Sequence, residues 1–184
     1  MSSLVTPLVG QNRRVTTFPR DEFNDVLTSN KDFAASFDNQ DLTGFAAQGL
    51  AIITCMDSRI SPLAIVGMQP GDVKILRNAG ARVTDDVLRT LVLATFLLGV
   101  NRVLVMPHTE CKMASATEPE IHDEIFQEFG VDTRSVEIRT VRDTLEALKT
   151  DVTRVRTYPL LAPGVIVGGA IYDVHTGELT PIDI

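Results

Sequence analysis

The chain contains two cysteines, Cys55 and Cys111, and the second lies in His-Thr-Glu-Cys at 108–111, where an imidazole and a thiol share one short run. Thiolate and imidazole are zinc ligands, and a catalytic zinc keeps three protein ligands while leaving a fourth position for water. His108 and Cys111 from one loop, joined by Cys55 from another, make such a set. A structural site would normally add a fourth Cys or His. The other two histidines do not fit that place: His122 lies on a segment of helical periodicity and His175 in a turn, so both read as surface or supporting residues. By itself His-x-x-Cys is a weak pattern, and a cysteine closing an apolar run is more often plain core. Asp57 and Arg59 add weight, because they follow Cys55 closely and can pair through a two-pronged contact. In an arbitrary loop that pair would be a surface brace. Two residues from a metal ligand, it suits acid–base work.

These residues need a frame that brings them together. Residues 50–54 are a short apolar run with β-branched members, the pattern of a strand buried on both faces. A second strand is predicted at 73–76, a third at 103–106, and a further one at 165–172 that Thr176 and Gly177 turn into a closing hairpin. Between them lie helical patterns. Ser61 and Pro62 open a short helix. Thr84, Asp85 and Asp86 start another that Gly99 stops, and its second half is apolar on nearly every side, which predicts burial on more than one face. Thr117 and Glu120 have the spacing of a capping box ahead of Ile121, Ile125, Phe126 and Phe129. A short strand is expected at 135–138, then a helix carrying Val141, Leu145, Leu148, Val152 and Val155. Residues 1–20 read as an extended arm. Residues 21–48 read as helical in pieces, anchored by Phe23, Val26, Leu27, Phe33 and Phe37.

Strands separated by helices predict an α/β fold: a mostly parallel sheet flanked by helices, with an N-terminal helical arm and a C-terminal strand hairpin, all in one domain over 1–184. Ligands on such sheets bind beyond the carboxyl ends of the strands. Cys55 follows the first strand, Asn78 the second and His108 the third, so all three land on one sheet edge. Asn78, Ala79 and Gly80 are therefore candidates for lining a substrate pocket.

Charge and length exclude other classes. A formal net charge of −7 disfavours a nucleic-acid binder, which needs a basic face. The longest apolar stretch, residues 87–100, is too short to span a bilayer and contains Arg89. The arginines at 13 and 14 follow the mildly apolar N-terminus, whereas a secretory signal places its charge first. A cytoplasmic protein without membrane or nucleic-acid partners is expected.

Cys-Met-Asp-Ser-Arg at 55–59, Arg-Asn-Ala-Gly at 77–80 and His-Thr-Glu-Cys at 108–111, at these intervals, resemble the β-class carbonic anhydrases. The resemblance spans roughly residues 20–181. It implies a Zn2+ cofactor on Cys55, His108 and Cys111, a catalytic dyad of Asp57 and Arg59, and carbon dioxide and bicarbonate as substrates. It also implies a homodimer or dimer of dimers with sites near the subunit interface. Two residues depart from the family pattern, Lys112 and Pro107, where glycine is common; neither removes a ligand, and a reshaped pocket rim is expected from both. A carbonyl sulfide or carbon disulfide hydrolase on the same scaffold is the nearest rival. A zinc module without activity, or a Cys-His nucleophile, stands further off.

Overall fold

The computed structural model describes residues 17–184. The arm expected over residues 1–20 lies almost wholly outside the described residues. Two compact units are distinguished, one ending at Leu42 and the other running Thr43–Ile184.

The first unit carries one helix, α1 (Asn24–Ala35), and none of its residues is buried. Phe23, Val26, Phe33 and Phe37, expected to anchor this region, are exposed. Phe33 and Phe37, four residues apart at the end of α1, meet in a tilted arrangement with ring centroids 5.6 Å apart. Periodicity places such a stripe on one face but does not say what covers it.

The second unit is built on a five-stranded sheet ordered β2-β1-β3-β4-β5. Its strands are β1 (Leu50–Cys55), β2 (Val73–Asn78), β3 (Arg102–Met106), β4 (Ile166–Tyr172) and β5 (Leu179–Ile182). The first four pair in parallel, and only β5 runs antiparallel, as the hairpin partner of β4. β1 is an interior strand between β2 and β3, and all six of its residues are buried. Alternation splits residues 50–53 between two cores, Ala51 and Ile53 in one and Leu50 and Ile52 in the other, while Cys55 at the strand end joins the second core. Each buried Val, Leu or Ile contributes roughly 1.5–3 kcal/mol, so the strand that ends in Cys55 is also the most firmly held.

The helices follow their local signals. α2 (Pro62–Ile65) starts with proline after Ser61. In α3 (Asp85–Leu97) the Thr84 side chain accepts the Val87 N–H, and two acids occupy the positive end of the dipole. α3 buries Val87, Leu88, Leu91 and Ala94, but Leu93, Phe96 and Leu97 are exposed, so the single chain does not provide the burial on more than one face expected for its second half. α4 (Glu118–Phe129) has the expected capping box and ends at Gly130 in the left-handed conformation. Its apolar residues Phe126 and Phe129 are exposed, and its buried residue is His122, which hydrogen-bonds Thr133 Oγ1 at 2.8 Å. α5 (Thr144–Arg156) is capped by Asp143 and packs Leu148, Val152 and Val155 against β3 and β4. Gly169 makes that close approach possible, because a Cβ there would stand 2.9 Å from Val152 and 3.0 Å from Leu148.

The strand expected at 135–138 is absent; the segment is a turn. The N–H groups of Ile138 and Arg139 donate to the Glu118 carboxylate at 2.8 and 3.1 Å, so a side chain takes the donors a neighbouring strand would have needed.

Candidate metal centre

Parallel pairing sets the site. Cys55 pairs in register with Asn78, and Thr54 with Met106, so β1, β2 and β3 end at one level. Thr54 Oγ1 donates to the Met106 carbonyl at 2.8 Å inside the core, locking the two strand ends that lead to Cys55 and His108. The loop after β3 is also stitched to β4: Tyr172 N–H donates to the Pro107 carbonyl at 3.0 Å and Thr109 N–H to the Tyr172 carbonyl at 2.9 Å. His108 is thereby held on both sides.

Cys55, His108 and Cys111 offer ligand atoms that all lie within 4.8 Å of one another. The two sulfurs are 3.8 Å apart. A disulfide needs about 2.05 Å. Two sulfurs each bonded to one tetrahedral zinc at about 2.3 Å stand about 3.8 Å apart, so the spacing fits a shared metal. The imidazole supplies a second test. His108 Nδ1 lies 2.8 Å from the Thr109 carbonyl. A carbonyl only accepts, so Nδ1 carries the proton and Nε2 is left with its lone pair. Among the described residues, Nε2 is the one buried side-chain nitrogen or oxygen without a hydrogen-bond partner. A buried lone pair aimed at two sulfurs is what a metal ligand requires, and without a metal it is a cost. Burial pushes the His108 imidazole below its ordinary pKa and, with the neighbouring Cys55, pushes the Cys111 thiol up.

Asp57 and Arg59 form the pair expected from their spacing. Arg59 donates through Nε to Asp57 Oδ1 at 3.0 Å and through Nη2 to Oδ2 at 2.8 Å, and its own N–H reaches Oδ1 at 2.9 Å. These hydrogen bonds hold the Asp57 carboxyl well below the usual carboxylate range. Asp57 Oδ2 stands 3.8 Å from His108 Nε2, at the open side of the three ligand atoms. In front of them is a depression of about 520 Å³ lined by Cys55, Asp57, Arg59, Ala79, Cys111 and Lys112, among others. Lys112 is exposed at its rim, 4.0 Å from Glu124, and Pro107 is buried behind the histidine. Ala79 lines the depression, while Asn78 and Gly80 do not.

Sequence reasoning passed over two residues here. Arg77 donates to the carbonyls of Cys55 at 2.9 Å and Asp57 at 2.7 Å, so one guanidinium clamps the loop that bears both a ligand and the carboxylate. Glu110 has a left-handed backbone, φ 55°, and its carboxylate faces Arg59 at 3.5 Å and His175 at 2.9 Å. That ion pair raises the His175 pKa. The signals available for Arg77 were its place at a strand end and in the Arg-Asn-Ala-Gly motif at 77–80.

An open parallel α/β sheet carrying two thiolates and one imidazole at its carboxyl edge, with a free side facing a pocket, defines a catalytic zinc protein. Comparison with known proteins narrows the class. The family model described as carbonic anhydrase matches residues 50–128. The chain is 31% identical to Beta-carbonic anhydrase 1 of Mycobacterium tuberculosis over 160 residues, covering 86% of this chain and 96% of that protein. It is 29% identical to the carbon disulfide hydrolase of Saccharolobus solfataricus, covering 71% of this chain and 75% of that protein. The solved carbonic anhydrase of Streptococcus mutans superposes with a TM-score of 0.82 at 32% identity, covering 91% of this chain and 99% of that one. The chain belongs to the β-carbonic anhydrase family. Zinc is its cofactor, and Cys55, His108 and Cys111 are positioned to bind it.

Proposed function

We propose that this protein is a lyase catalysing the reversible hydration of carbon dioxide to bicarbonate and a proton, with zinc on Cys55, His108 and Cys111 and with Asp57 and Arg59 as the catalytic dyad. One observation carries the reading: the three ligand atoms converge beside a carboxylate that an arginine grips with three hydrogen bonds, at the mouth of an open pocket.

Zinc held there supplies a Lewis acid that makes a nucleophile of water near neutral pH. The rest falls to the chain. Arg59 keeps Asp57 ionised and turned to one side, so its carboxylate accepts a hydrogen bond from the attacking water and orients the oxygen lone pair towards carbon. That oxygen bonds to carbon; one of the water's protons stays on bicarbonate and the other leaves to solvent. Ala79 supports the apolar wall of the pocket, suited to a linear, uncharged substrate.

Carbon disulfide or carbonyl sulfide hydrolysis on the same scaffold is not favoured, since the relative named for it matches less of this chain than the carbonic anhydrase does. Zinc analysis and stopped-flow carbon dioxide hydration on one sample test the proposal. About one zinc per chain with rapid hydration is expected. Full zinc occupancy and activity in a Cys111→Ala variant would overturn the ligand set.

We further read residues 1–184 as one functional domain that works as a homodimer or dimer of dimers in the cytoplasm. The exposed Leu93, Phe96 and Leu97 of α3 support an interface, since large apolar side chains in one place mark association surfaces. Among the described residues no helix is long and apolar enough to cross a membrane.

A further inference from the structure

Two thiolates on a divalent metal cancel its formal charge, yet the activity proposed above needs the metal to remain electron-poor. The structure contains a counterweight. Gly80 donates its backbone N–H to Cys55 Sγ at 3.4 Å within the buried core. In a low-dielectric interior such bonds are strengthened, and they draw negative charge out of the sulfur they reach.

The Gly80 donor is held by a dedicated turn. Gly80 has φ +79°, and a Cβ there would lie 3.2 Å from the Cβ of Met113, so both its backbone conformation and its neighbour call for glycine. Asn78 closes the turn with both halves of its carboxamide. Its Nδ2 donates to the Arg82 carbonyl at 2.7 Å, and its Oδ1 accepts the Arg82 N–H at 2.8 Å. The Asn78 carbonyl also accepts the Met56 N–H at 3.0 Å, in the residue following Cys55. One asparagine therefore fixes both the loop that presents the sulfur and the turn that presents its donor.

We infer that residues 78–82 are an electronic tuning device for the metal centre, in which Gly80 N–H withdraws charge from the Cys55 sulfur and Asn78 is the positioning residue that keeps it in reach. In this role Gly80 acts on the ligand sulfur itself, and it also lines a small cavity together with His108 and Cys111. The inference rests on Cys55, His108 and Cys111 being the metal ligands.

The experiment uses the full chain loaded with cobalt in place of zinc, as the parent and as Asn78→Ala and Gly80→Ala. A sulfur that loses its N–H donor is richer in electrons, so the sulfur-to-cobalt charge-transfer band moves to longer wavelength in both variants. In the zinc-loaded forms kcat for hydration falls about 10- to 100-fold, the range for losing a group that tunes a ligand, while KM changes little. Either variant decides the matter alone should the other not fold, and the half-exposed Asn78 side chain makes its truncation the milder change. A band at the parental wavelength in a folded variant overturns the inference, because a turn that merely braces the fold has no reason to move it. A parent that binds no cobalt overturns the ligand assignment instead, which keeps the two failures distinct.

Discussion

Removing Asp57 and Arg59 singly and together tests whether they act as one unit. Arg59 places three donors on the Asp57 carboxylate at 2.8–3.0 Å, so the orientation of that carboxylate depends on the arginine. Groups that position or move a proton at a reacting atom contribute about 10²- to 10⁴-fold. Taking about 10³ for Asp57→Ala and about 10² for Arg59→Ala, the two losses correspond to about 4.1 and 2.7 kcal/mol. Independent residues would then lose about 6.8 kcal/mol together, or 10⁵-fold. If Arg59 acts only by holding Asp57, the double variant loses no more than Asp57→Ala, and the coupling energy is about 2.7 kcal/mol. Stopped-flow hydration from pH 6 to 9 on the four proteins, each with measured zinc content, supplies every number. Zinc should stay bound throughout, since neither residue belongs to the ligand set, and activity should rise towards alkaline pH. Strictly additive losses, or an Arg59 variant as active as its parent, would refute the argument and reduce the pair to a brace for the loop.

Four further outcomes are expected. Asp151 is 3% exposed and holds Arg82 through Nε at 2.7 Å, so Asp151→Ala leaves a partly buried cation without its partner. With allowance for the partial exposure of Arg82, this costs about 2–3 kcal/mol and lowers Tm by about 4–12 °C, read by calorimetry; an unchanged Tm would contradict it. Burial holds His108 below its ordinary pKa, so as pH falls below about 6.5 the unfolded chain takes up a proton that the folded one refuses, and metal-free protein loses stability. Urea titrations from pH 5.5 to 8 should show that slope, and an equal slope in His108→Asn would exclude His108 as its source. Cys111 must shed a proton held by burial before it binds metal, so zinc affinity by chelator competition should rise with pH; a flat profile would count against thiolate ligation. Sedimentation at micromolar concentration should show at least a dimer, and a single 20 kDa species would remove that proposal.

The ligand set was legible before any coordinates because its chemistry is carried by residue type and short spacing. Two cysteines and a nearby histidine leave few alternatives, and the caps at Thr84, Thr117 and Gly130 act within a turn of the residues that signal them. Strands β1, β2 and β3 were likewise readable, β1 because full burial leaves a continuous apolar run and β2 and β3 from short runs rich in Val, Ile and Leu. What the chain alone did not decide is set by groups far apart in sequence. The segment at 135–138 has strand-like residues, but the Glu118 carboxylate, about 20 positions earlier, takes its donors. His122 falls on a polar-looking helix position, and only packing buries it. Arg77 reaches over from the neighbouring strand to clamp the loop of Cys55 and Asp57, and Gly80 brings its N–H to the Cys55 sulfur. Local sequence selects which groups are present and how the backbone starts and stops around them. Which donor meets which acceptor depends on parallel strands brought into register, and that register exists only once the sheet has formed.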